Sequence, residues 1–556
     1  MKFLLILCAS LVSMTVLSAE YWRPVAKKII ECGWATRLPM ARLCKNIVEI
    51  ENSSPCSGMA LRLCGKDEQG NVYFSNQTIS LPLQNKPCGP VEFKKEYFRD
   101  DIETLKKTRF KKFTDNFIST TRNSGKVDLF SDNEWKIVCS NYKILAEIAR
   151  ETGLKGLIVD FEWYKKSLPI FEQLPEGKSY QEVAELLRKR GREWGTAVFE
   201  AYPDIKLLFY FLVAYQEDVR DTPENAGLVI HFVNGIYDVL PPRAVLIEGH
   251  EHHGYGAADD ADFARLRCDF EMLFPRLIDR NNYGKFCRQT QFSCAYFLDA
   301  YIVDAEKKRG FAKKLAPHIE KHGKLNLMRR NLSRAMELSD EYVWIWSEAG
   351  RWYNCKAGHP GSKLVWEKHL PGVTDAFNSV LAPIAFAKSK LNTGNYINLV
   401  KNPEFTCGTD KYNMPHDFYF WQNIKSGSCT ILKKAGYNQK DAVAVSGCRA
   451  TFTLSQKIKV KADWLCFVRV RAKILEGKSG RYAVLCAYKN SKKEELPKRT
   501  TSSCRFGQPD NEGWMIAEMA VLVPENASEL HLRLMGGYQQ NNDTIVFDKV
   551  EIYRIL

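Results

Sequence analysis

Gly156-Leu157-Ile158-Val159-Asp160-Phe161-Glu162-Trp163-Tyr164 decides how this chain is read. A glycine and three apolar residues without polar alternation mark a strand buried on both faces, as in a parallel sheet. Side chains at i and i+2 share one face of a strand. Asp160 and Glu162 therefore project together from its C-terminal end, with Trp163 beside them. In an α/β barrel that end carries the active site. The alternative is a strand that merely ends in acids, and the ends of the other strands argue against it.

From residue 20 to 390 apolar runs alternate with helical patterns. The runs fall at 28–34, 59–63, 110–117, 154–162, 205–213, 244–248, 292–299 and 342–347. Helices are predicted over 101–107, 132–152, 180–202 and 259–281. This alternation predicts an α/β domain of the (β/α)8 TIM-barrel class. An open doubly wound sheet is the rival, but no glycine-rich phosphate loop follows the first strand. Residues 391–397 read as a linker. Short alternating runs then fill 398–556, which predicts an all-β sandwich of jelly-roll type.

The strand ends share one chemistry. They carry Glu31 and Trp34, Asp115 and Asn116, Asp160 and Glu162, Glu248 and His250, Asp299, then Trp346, Glu348 and Trp352. Two carboxylates can cleave a glycosidic bond, one as acid and one as nucleophile or base. Aromatic faces bury large area against sugar rings. Glu162 is the expected proton donor and Glu248 the nucleophile or base. Asp160 raises the Glu162 pKa, because neighbouring carboxylates resist double ionisation. Glu31, Trp34, Asp115, Asn116, Trp163, His250, Asp299, Trp346, Glu348 and Trp352 are the expected substrate contacts. This chemistry needs no cofactor. Residues 248–253 are rich in histidine but lack the HExxH spacing, so no metal is expected. No GxSxG elbow supports a serine hydrolase.

A basic start, an apolar run and small residues at 18–19 read as a signal peptide over 1–19, predicting a secreted or periplasmic protein. No later stretch is long and apolar enough to span a membrane. The 17 cysteines predict disulfides plus buried thiols. The formal charge of +15 comes from scattered lysines and arginines without a nucleic-acid signature. The expected partner is carbohydrate. Two rivals to a glycosidase are a non-catalytic glycan-binding barrel and a metal-assisted hydrolase using 248–253. A third, a surface protein binding an acidic polymer by charge, would show steep salt dependence.

Residues 156–164 resemble the fourth-strand motif of family-18 chitinases, close to DGxDxDxE. Asp160 and Glu162 match the last two acids. Ile158 replaces the aspartate before them, a departure from a substrate-assisted mechanism. More of the chain, about 25–355, resembles uncharacterised exported bacterial barrel proteins of glycosidase type. The stretches KKIIECGW, RFKKFTDNF, DFEWY and DEYVWIWSE carry that likeness. It implies a fold and a carbohydrate substrate class. The tail opens on Asn398-Leu-Val-Lys-Asn402-Pro-Glu404-Phe405 and closes on Ile545-Val-Phe547-Asp548-Lys-Val-Glu-Ile-Tyr553. Both ends resemble jelly-roll carbohydrate-binding modules, which makes Trp421 an expected ligand platform.

Overall fold

The computed structural model describes residues 26–77, 91–120, 127–160, 174–214, 227–302, 310–410, 414–477 and 480–556. Glu162, Trp163 and the segment 1–19 lie outside the described residues. The chain divides into two units, one ending at Phe377 and one beginning at Asn378.

The first unit is built on nine parallel strands. They are β1 (Lys28–Gly33), β2 (Gly58–Leu61), β3 (Phe117–Ser119), β4 (Gly156–Val159), β5 (Lys206–Phe209), β6 (Val245–Glu248), β7 (Thr290–Phe292), β8 (Cys294–Phe297) and β9 (Tyr342–Ser347). They pair in the order β8-β9-β1-β2-β3-β4-β5-β6-β7. The two edge strands are β7 and β8, and only Ser293 separates them in sequence. The sheet therefore curls into a nearly closed barrel. One side-chain face fills the interior: Ile30, Cys32, Ala60, Phe117, Ile158, Leu208, Ile247, Ala295, Tyr342 and Trp344 form one packed cluster. Covering helices include α1 (Asp132–Glu151), α2 (Tyr180–Ala201) and α3 (Val229–Asp238). Ser131 and Ser179 cap the first two, each accepting from the backbone N–H three residues on. Helices α2 and α3 meet at Gly191 and Gly235. A Cβ at either would sit 2.0 or 2.2 Å from a carbonyl oxygen of the other helix.

The N-terminal end of the barrel is closed by charge. Lys28 Nζ bonds Asp115 at 2.8 Å and Glu341 at 3.2 Å. Lys206 Nζ bonds Glu341 at 2.6 Å and the Tyr342 hydroxyl at 2.9 Å. Burial opposes ionisation of Glu341, but the two lysines override it and hold its pKa low. Removing one partner strands the others in a poorly hydrated site. Glu341→Ala is expected to cost about 2–4 kcal/mol, read from the midpoint of urea unfolding.

This network corrects one expectation. Asp115 and Asn116 precede β3 rather than end it, so they lie at the barrel's N-terminal end. Asp115 belongs to the Lys28–Tyr342 network. Asn116 accepts from Met59 N at 3.0 Å and donates to Phe113 O at 2.7 Å. The cause is local. Glu51 Oε1 accepts three consecutive backbone N–H groups, those of Lys111, Lys112 and Phe113. That holds 111–113 in a turn and delays the strand to Phe117.

The second unit contains two five-stranded antiparallel sheets. Its strands are β10 (Tyr419–Gln422), β11 (Ser428–Leu432), β12 (Ala442–Ser446), β13 (Phe452–Lys459), β14 (Leu465–Glu476), β15 (Arg481–Lys489), β16 (Ser502–Arg505), β17 (Trp514–Leu522), β18 (Glu529–Gly537) and β19 (Thr544–Arg554). One sheet runs β10-β13-β18-β15-β16, the other β11-β12-β19-β14-β17. Strict alternation makes the core: Phe452, Leu454 and Ile458 of β13 join Leu530, Leu532 and Leu534 of β18 and Val468 and Val470 of β14. The helix Pro383–Thr393 packs Phe386 and Ala387 on Leu465, Phe467 and Ile555. It belongs with this unit, although its pattern reads from sequence as the end of the barrel domain. All fifteen cysteines among the described residues carry free thiols, so the expected disulfides have no pair there.

Candidate functional site

Period-two alternation sorts the carboxylates at the barrel's C-terminal end. Asp160 continues the interior face of Ile158, Tyr210 that of Leu208, and Trp346 that of Trp344. Glu31 lies between the interior residues Ile30 and Cys32, and Glu248 follows Ile247, so both face outward from the barrel.

The interior residues form one polar-aromatic mouth. Tyr210 stacks on Trp344 at 4.3 Å and meets Trp346 edge-on at 5.8 Å. Trp344 donates from Nε1 to Gly249 O at 2.9 Å. A Cβ at Gly249 would fall 2.3 Å from Phe209 O and 2.9 Å from that indole nitrogen, so only glycine fits. Trp346 donates from Nε1 to Glu348 Oε1 at 3.1 Å. Burial pushes the Tyr210 phenol well up, and Cys32, Asp160 and Glu251 add to it by their charge. The backbone sets both acids beside Tyr210: Glu251 N–H donates to Tyr210 O at 3.2 Å, and Tyr210 N–H donates at 3.1 Å to the carbonyl of Val159, the residue before Asp160.

Asp299 steadies the mouth. Its Oδ2 accepts the N–H groups of Glu348 and Ala349 at 2.8 and 3.0 Å. Burial raises its pKa to about 6 against the pull of those two bonds. Its Oδ1 is buried without a hydrogen-bond partner among the described residues. Trp34 is half-buried, with its ring 4.4 Å from that of His359.

Other expected residues take structural places. Glu248 is fully buried. Its Oε2 accepts from the N–H groups of Leu212, Val213 and Ala214 at 3.2, 2.7 and 3.1 Å, and its Oε1 from His250 N at 2.9 Å. The carboxylate thus ties the exit of β5 to that of β6. His250 adopts φ 52° and packs against Phe274 and Phe292 on the outer side. Burial drops its pKa to about 3, so the ring is neutral. Trp352 lies in the core between Trp366 and Phe377, not at the mouth. Glu31 is sealed behind β1. Among the described residues no group of three or more His, Cys, Asp or Glu is placed to hold a metal ion. No described helix is long and apolar enough to cross a membrane.

The strand-end pattern does not mark Glu251 or Tyr210 as site residues. Glu251 opens the helix Glu251–Gly256, three residues past Glu248; after the left-handed turn at His250 its backbone N–H donates to Tyr210 O at 3.2 Å. The signal available in sequence was the break of strand pattern at Gly249.

The second unit carries a groove of about 830 Å³ on the outward face of β10, β13 and β18. Trp421 and Tyr419 stand on the edge strand, 46% and 67% exposed. Thr453 and Ser455 pair with them from β13, and Met535 and Arg533 pair with those in turn from β18. Lys457 and His531 complete the next row. Buried Gln456 fixes two lining loops. It accepts from Lys401 N at 2.8 Å and donates to the carbonyls of Lys401 and Asp417 at 2.9 and 3.1 Å.

No protein-family model matches the chain. No curated protein matches it either. Among solved structures, it is similar to the carbohydrate-binding module TmCBM61 in complex with beta-1,4-galactotriose, at 14% identity and TM-score 0.22, over 28% of this chain and 99% of that one. It is similar to the CBM22-1–GH10 modules of the Clostridium thermocellum endo-1,4-beta-D-xylanase 10B complexed with xylohexaose, at 14% identity and TM-score 0.23, over 29% of each chain. It is also similar to the enzymatically active domain of bacteriophage CBA120 tailspike protein 4, at 12% identity and TM-score 0.22, over 28% of this chain. The match spans 21% of the tailspike chain, so for it and the xylanase less than a third of the other protein is covered.

Proposed function

We propose that the chain is an exported glycoside hydrolase acting on a poly- or oligosaccharide. Its barrel is an eight-fold (β/α)8 one, with β7 and β8 counted as one interrupted strand, and its sandwich is a jelly roll that holds the glycan. One observation carries the reading. Backbone hydrogen bonds at the C-terminal mouth set Glu251 and the strand end at Asp160 beside Tyr210, next to the Trp344–Trp346 wall and Glu348. Acids beside aromatic faces are what cleavage of a glycosidic bond needs. Glu162, two residues beyond Asp160 in sequence and outside the described residues, is the proton donor in this reading. Asp160 keeps it protonated by charge repulsion. Glu251 takes the nucleophile or base role first expected of Glu248, whose oxygens are engaged by four backbone amides.

The test is a hydrolysis screen of the full chain on aryl glycosides and polysaccharides, repeated with Glu162→Gln. Turnover is expected, falling about 10²–10⁴-fold in the variant. Turnover unchanged in the variant removes Glu162 from the chemistry. Glycan binding without turnover on any substrate leaves a binding barrel instead. Export is tested separately, by the N-terminal residue of the mature protein, expected near Glu20.

A further inference from the structure

Charge in the sandwich groove is unevenly distributed. One side is aromatic, Tyr419 and Trp421 on the edge strand β10. The floor is hydroxylic, Thr453 and Ser455. The far side and one end are cationic: Arg533 on β18, Lys457 on β13 and Lys401 on the adjoining loop. Three cations face one lining carboxylate, Asp417. Arg533 is partly neutralised by Glu495 at 2.7 Å, and His531 is paired with Glu529. Lys401 and Lys457 are exposed, and both line the groove. The whole chain carries +15, so its long-range field favours the same ligand sign.

We propose that this groove binds an acidic polysaccharide, one bearing carboxylate or sulfate on its sugar rings. The inference rests on the reading that the second unit holds glycan, and it adds the ligand's charge. Stacking needs a ring face, which Trp421 and Tyr419 take. Hydroxyls of that ring reach Thr453 and Ser455. The anionic substituent of the same or the next residue then meets Lys457 and Arg533 across the sheet. Neighbouring strands lie about 4.8 Å apart, so the span from β10 to β18 is about 10 Å. That matches one to two sugar rings lying across the strands.

The test is affinity electrophoresis of the full chain in gels of polygalacturonate, alginate, chondroitin sulfate, xylan and β-1,4-galactan. Wild type is compared with Trp421→Ala and with the double variant Lys401→Gln/Lys457→Gln. All three changes are at exposed side chains, and circular dichroism checks that the fold is intact. The expected result is retardation by acidic glycans, about tenfold weaker in each variant and steeply reduced by salt. Preference for polygalacturonate and alginate identifies carboxylate, and preference for chondroitin sulfate identifies sulfate. Retardation by xylan or galactan that Trp421→Ala removes and the lysine variant does not would overturn the charge assignment while leaving glycan binding intact. No retardation by any glycan, or equal binding of poly-glutamate, would overturn both.

Discussion

Glu248→Ala is expected to lose about 3–5 kcal/mol of folding stability, the size seen when one partner of a buried charged set is removed. Four backbone N–H groups would be left in a fully buried site with no acceptor. Each unsatisfied donor costs about 1–3 kcal/mol, and local relaxation recovers part of the sum. Burial raises the Glu248 pKa, and the amides of Val213, His250, Ala214 and Leu212 pull it back. The urea midpoint reads the loss directly. Glu251→Gln sets the contrast: a half-buried residue at a helix start, expected to keep the wild-type midpoint while turnover drops about 10²–10⁴-fold. The pair separates an anchor from a reacting group. Wild-type stability in Glu248→Ala together with lost turnover would return Glu248 to the chemistry.

The barrel was legible because parallel strands buried on both faces leave uninterrupted apolar runs. GLIV, KLLF and VLIE start within two residues of the predicted positions, although the first two end three and four residues early. The third strand was misplaced because phenylalanines at 110 and 113 mimic strand pattern, while the residue that forbids a strand there, Glu51, lies some sixty positions away. The seventh reads from sequence as one strand and is two. β7 pairs with β6 and β8 with β9, and Ser293 takes the break between them. In the sandwich the long alternating runs were read, but β10, β11, β12 and β16 were not. They are only four or five residues long, and β10 exposes Tyr419 and Trp421 where burial would have marked a strand.

Site residues were less legible, because facing is set by a single residue of register. Asp160 follows an interior residue by two, whereas Glu248 follows one directly and turns outward. From sequence alone both are acids ending an apolar run. Trp352 shows the same limit. It follows the Trp-rich strand β9 by five residues, but the chain folds back and seals it against Trp366.

Glu31→Gln is expected to stabilise the protein, and by an amount that depends on pH. Glu31 is fully buried, and neither carboxyl oxygen has a hydrogen-bond partner among the described residues. Burial pushes its pKa to about 8 from an ordinary 4.5, against the pull of the nearby Ser54 hydroxyl, which lies outside hydrogen-bond geometry. The unfolded chain releases this proton near pH 4.5, while the folded chain keeps it until about pH 8. Between those values the folded state binds more protons, so stability falls as pH rises. Below pH 4.5 the contribution is complete, and above pH 8 it is fully lost. A shift of this size corresponds to roughly 5 kcal/mol across the window. Glutamine matches the protonated acid in shape and cannot ionise, so its variant lacks this slope. Wild type and variant should therefore unfold at similar urea concentrations at pH 4.5 and diverge steadily towards pH 8.5, the variant being the more stable. The neighbouring groups do not blur the window. Burial lifts Cys32, Cys56 and Tyr353 well beyond it, and the charge of Glu31 adds to each shift. An equal difference between the two proteins at both pH values would mean that Glu31 is hydrated or paired in solution. The outward face of β1 would then be an open site rather than a sealed one.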